Sequence, residues 1–88
     1  MGYKRPRPKH LAAKLLRIRQ ALGISQVQLA KRLDAGIPYN DISKYELNKN
    51  EPPLAVLLAY SRLAGISVEQ IIDDNLSLPH FLASDVSS

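Results

Sequence analysis

Gly23-Ile24-Ser25-Gln26-Val27-Gln28-Leu29 decides the reading of this chain, because it contains a complete helix-stop and helix-start signal. Glycine ends one helix in the left-handed conformation, which costs it nothing. Ser25 is a strong N-cap, and Gln28 three residues later can reach back to form a capping box. Ile24 before the cap and Leu29 inside the helix make a hydrophobic staple. The same device recurs as Gly65-Ile66-Ser67-Val68-Glu69-Gln70-Ile71. It is a reused start signal, not an internal domain repeat.

Working outward from the first device, every segment reads as helix. Upstream, Leu11, Leu15, Ile18 and Leu22 follow helical spacing from Lys9, with Pro8 suited to the first turn and Gly23 to the end. Downstream, a second helix is predicted over 26–33, with Leu29, Ala30 and Leu33 inward. Asp34-Ala35-Gly36-Ile37-Pro38 breaks it, and a third helix is predicted over 38–47. On that third helix Ile42, Tyr45 and Glu46 share one face, while Asn40, Ser43, Lys44 and Leu47 share another. Asn48 suits a left-handed cap. Pro52-Pro53 stops the chain before a fourth helix over 54–64, with Leu54, Leu57, Leu58 and Leu63 as core candidates. A short fifth helix is predicted over 68–73. Only Leu76-Ser77-Leu78 alternates as a strand would.

Composition narrows the function classes. Eighty-eight residues allow one small domain, and the hydrophobic share of 45% permits a core of Leu, Ile, Ala and Val. With no cysteine there is no disulfide framework, thiolate zinc site or cysteine nucleophile. His10 and His80 stand too far apart to pair as metal ligands, so no metal and no cofactor are expected. No Gly-rich phosphate loop, nucleophile motif or paired-carboxylate site is present, and an enzyme is not expected. No apolar run reaches the roughly 20 residues of a membrane span. A cytoplasmic protein is expected, associated with the nucleoid when bound. The net charge of +4 is uneven: residues 1–33 carry nine Lys or Arg and no acid, whereas residues 34–88 carry a net of −5. One strongly positive end favours nucleic acid.

The order of parts resembles the lambdoid repressor and Cro (XRE) helix-turn-helix family. The resemblance is carried by Leu15-Leu16-Arg17-Ile18-Arg19, Gly23 to Ala30, Ile42-Ser43-Lys44-Tyr45-Glu46, Glu51-Pro52 with Leu54, Leu57 and Leu58, and Gly65-Ile66-Ser67. It implies an all-α, five-helix, repressor-like domain over residues 9–74. A basic extended arm precedes it over 1–8, and an apolar, then disordered tail follows over 75–88. The stretch from Leu33 to Ile42 is about two residues longer than the usual turn, and Asn48 stands where Gly is usual.

In that family the third helix enters the major groove of duplex DNA. The resemblance therefore implies contacts from Tyr39, Asn40, Ser43 and Lys44. Asn can pair with adenine and Lys can reach guanine O6 and N7. Gln26, Lys49 and Asn50 are expected on phosphates, with Arg5 and Arg7 of the arm on phosphates or in the minor groove. Arg19 and Glu46 map onto a structural ion pair. Leu76, Leu78, Phe81 and Leu82 either cover the domain's own surface or form a dimer or partner contact. The expected function is that of a dimeric regulator, most simply a repressor, on a palindromic operator. The alternatives are an antitoxin-like or accessory module that binds a protein partner, and a sequence-independent nucleic-acid binder.

Overall fold

The computed structural model describes residues 8–79, which form five helices and, among the described residues, no strand. The helices are α1 (Leu11–Leu22), α2 (Gln26–Leu33), α3 (Tyr39–Glu46), α4 (Leu54–Ala64) and α5 (Val68–Ile72). Both capping boxes are formed. Gln28 N–H donates to Ser25 Oγ at 3.1 Å, and Ser25 N–H donates to Gln28 Oε1 at 2.8 Å. Gln70 N–H donates to Ser67 Oγ and Ser67 N–H to Gln70 Oε1, each at 3.2 Å. Gly23 and Gly65 end α1 and α4 with φ of 69° and 71°. Asn48 follows α3 with φ of 62°, as its left-handed tolerance allows.

Leu15, Ile18, Leu29, Ile42, Tyr60 and Ile71 are fully buried, and every helix contributes at least one of them. Each such side chain contributes roughly 1.5–3 kcal/mol of hydrophobic stabilisation. Three differences from the sequence reading have physical causes. First, α1 begins at Leu11 rather than Lys9. The N–H groups of Lys9 and His10 instead donate to Asp74 Oδ2 and Oδ1, at 2.8 and 3.0 Å. These bonds hold the Asp74 carboxyl below the usual aspartate range.

Second, α4 is rotated relative to the expected face. Val56, Leu57, Tyr60, Ser61 and Ala64 are buried, while Leu54 is 63% and Leu58 37% exposed. Leu63 packs only at the core's edge. A helix whose one charged residue, Arg62, sits in its last turn carries little periodic signal from which to read its inward phase. Third, Leu76-Ser77-Leu78 is irregular rather than extended in a sheet, and Leu78 packs against the core.

Candidate nucleic-acid interface

The chain positions α3 by packing Ile42 and Tyr45 inward, at 0% and 5% exposure. Helical geometry then turns Tyr39, Asn40, Ser43 and Lys44 toward the other side. The Gly36 turn, with φ of 70°, joins α2 to α3, and the two helices pack together. As a result Gln26, Tyr39, Asn40, Ser43, Lys44, Leu47 and Lys49 line one shallow groove of about 340 Å³. Six of the nine side chains expected on DNA therefore converge. Asn50 is exposed just outside the groove lining, and Arg5 and Arg7 lie outside the described residues. Asp41, the acidic residue of α3's first turn, does not line it.

Behind the groove lies the ion pair. Arg19 Nε donates to Glu46 Oε2 at 2.7 Å and Nη2 donates to Oε1 at 3.1 Å, a two-pronged contact. Arg19 Nη1 also donates to the Ile24 carbonyl at 3.1 Å. The Glu46 side chain is 5% exposed, so this pair locks α1 to α3 in a poorly solvated setting. Its hydrogen bonds to Glu46 hold the guanidinium even more firmly protonated than usual. Close by, the Tyr60 hydroxyl is buried without a hydrogen-bond partner among the described residues, and burial pushes its phenol well above the usual tyrosine range.

Sequence reasoning did not anticipate that Gln26 joins this pair. Its Nε2 donates to Glu46 Oε1 at 3.0 Å. One amide hydrogen is thereby committed to the scaffold, and the side chain is held at the groove's edge. What remains for an anion is the second Nε2 hydrogen and the first N–H groups of α2, which have no partner within the helix. A second contribution missed from sequence is Lys14, only 8% exposed. Its ammonium donates to the carbonyls of Gln70, Asp73 and Leu76 at 2.9, 2.9 and 2.7 Å. The only sequence signal was its place between Leu11 and Leu15 on the inward face of α1.

A neighbouring cleft of about 460 Å³ lies between α2 and the turn, with Val27, Ala30, Ile37 and Tyr39 among its walls. Tyr39, 52% exposed, stands between the two. At the opposite chain end Leu76 is 42% exposed and Leu78 covers the domain's own core, while Phe81 and Leu82 lie outside the described residues. Among the described residues no group of three or more His, Cys, Asp or Glu is placed to hold a metal ion. No helix there is long and apolar enough to cross a membrane.

No curated protein and no solved structure shows significant similarity to the chain. The helix-turn-helix family model HTH_3, by contrast, matches residues 15–71, from the middle of α1 through the core residue of α5. That span takes in Arg19, Gln26, α3 and Glu46, the residues that build and brace the groove. The chain belongs to the XRE-type helix-turn-helix family, a family of DNA-binding transcriptional regulators.

Proposed function

We propose that this protein is a sequence-reading repressor that binds a two-fold symmetric DNA operator as a pair of copies and blocks transcription sterically. The convergence of Gln26, Tyr39, Asn40, Ser43, Lys44 and Lys49 on one groove carries this reading. Asn40 offers a donor and an acceptor to the N7 and N6 edge of adenine, and Lys44 donates to guanine O6 or N7. Ser43 serves a base or a phosphate, and Tyr39 a phosphate or a thymine methyl. Gln26, Lys49 and Asn50 take phosphates, with Arg5 and Arg7 extending the backbone contact. Phosphate contacts set most of the affinity and the base contacts set the preference. The partner is double-stranded DNA, which places the protein at the bacterial nucleoid in the cytoplasm.

Selection from a random duplex pool near physiological salt, followed by sequencing, tests it. The expected product is a palindrome whose half-sites lie about one helical turn, roughly 34 Å, apart. Retention without enrichment would reduce α3 to a backbone-docking element and contradict sequence reading. Absence of retention would instead favour a protein-binding role.

A further inference from the structure

Among the described residues, Leu47 is the one wholly aliphatic side chain in the lining of the DNA groove, and none of the polar contacts proposed above uses it. It is 62% exposed, so in the free protein most of its apolar surface stays in water. Backbone geometry fixes its place. The Leu47 N–H donates to the Ser43 carbonyl at 3.0 Å, and the N–H groups of Asn48 and Lys49 donate to the carbonyls of Tyr45 and Lys44 at 3.1 and 2.9 Å. Asn48, in the left-handed conformation, then turns the chain away. The Leu47 side chain is left one turn beyond Ser43 and Lys44, on their side of α3. We infer that Leu47 is a specificity-determining residue, which packs on the C5 methyl of a thymine in the major groove. The inference deepens the proposed sequence reading by α3 and rests on it.

The chemistry of the duplex selects that contact. Base edges in the major groove present hydrogen-bond donors and acceptors, and the thymine methyl is the apolar group among them. Leucine carries no side-chain donor for a phosphate and no acceptor for an exocyclic amine. Against a base edge without a methyl it therefore gains nothing specific. Position adds a second argument. Leu47 stands seven residues after Asn40, two helical turns or about 10 Å along the axis. That is the length of about three base-pair steps. Leu47 accordingly meets a different base pair from Asn40 and sets a preference there that no hydrogen bond from α3 supplies. In the proposed complex Lys49 takes a phosphate two residues later, which draws the last turn of α3 toward the duplex.

The test replaces thymine with deoxyuridine, one position at a time, in the duplex recovered by selection. Each replacement deletes one methyl and leaves every hydrogen-bonding group in place. For the unaltered protein, one thymine in each half-site is expected to show about a fourfold loss of affinity when replaced, the size of one buried methyl. Leu47→Ala is expected to bind the thymine and deoxyuridine duplexes alike at that position, and Leu47→Met to keep the difference. Circular dichroism checks that both variants retain their helices. No methyl effect at any thymine, or one that survives Leu47→Ala, would overturn the inference and leave the sequence reading by α3 standing. So would an equal weakening of all duplexes by Leu47→Ala, which would place the side chain on the sugars. A pool that yields no enriched sequence would overturn both readings together.

Discussion

Lys14 shows how one residue can look like surface and act as scaffold. Its ammonium directs all three hydrogens to carbonyls at the end of α5 and beyond, closing a helix whose final turn has no basic residue of its own. Replacing Lys14 with Met keeps the stem's bulk and orphans those carbonyls, so unfolding in urea is expected to show a loss of about 3 kcal/mol. Asp74 works from the other side, capping the start of α1 across 64 residues of sequence. Its folded carboxyl is lowered by the His10 and Lys9 N–H bonds, so the unfolded chain binds the proton more readily. The resulting stability is present above the ordinary aspartate range and is lost as pH falls through the lowered value. Asp74→Asn should flatten the acid limb of a stability-against-pH curve; an unchanged limb would show that the bonds contribute nothing. Arg19 and Glu46 were legible in the sequence because their motif marks them. Lys14, Asp74 and the Gln26–Glu46 bond were not, because each depends on a tertiary partner more than 19 residues away.

At the level of elements, local chemistry determined nearly all boundaries. Both serine caps, both terminal glycines and the start of α4 after Pro53 lie where the residues indicated. The two capping boxes also make matched experiments. Ser25→Ala and Ser67→Ala are each expected to lower stability by about 1 kcal/mol. Only Ser25→Ala is expected to weaken DNA binding too, since Ser25 fixes the start of α2 next to Gln26, whereas Ser67 lies at α5, away from the groove. Equal effects on DNA binding would contradict that division. The phase of α4 was the element-level error. Leu54 and Leu58 have the side chains of core residues, but Tyr60 and Val56 occupy the inside, and only Arg62, one turn after Leu58, marked the outside. Hydrophobic content tells a helix to pack; only an amphipathic pattern tells it which way round.

Over the whole molecule, the groove's two cations do not follow the charge asymmetry of the sequence. Lys44 and Lys49 come from residues 34–88, which carry a net of −5, while the positive first third contributes only the uncharged Gln26 to the groove lining. Lys49→Ala is expected to lower affinity for all duplexes alike and to reduce the slope of log affinity against log salt by roughly 0.9. An unchanged slope would place Lys49 away from the backbone. The groove itself was foreshadowed by the i, i+3, i+4 pattern of α3, but its depth and the tether on Gln26 arise from packing. The central claim is that this groove is the surface that meets DNA. The most direct test follows the backbone amide resonances of the ¹⁵N-labelled protein during titration with the selected duplex. Shifts are expected at Gln26, Val27, Tyr39 to Lys44, and Lys49, with α5 and the outer face of α1 little changed. Shifts centred on His10, Arg17 and Leu76 to Leu78, with α3 silent, would contradict it.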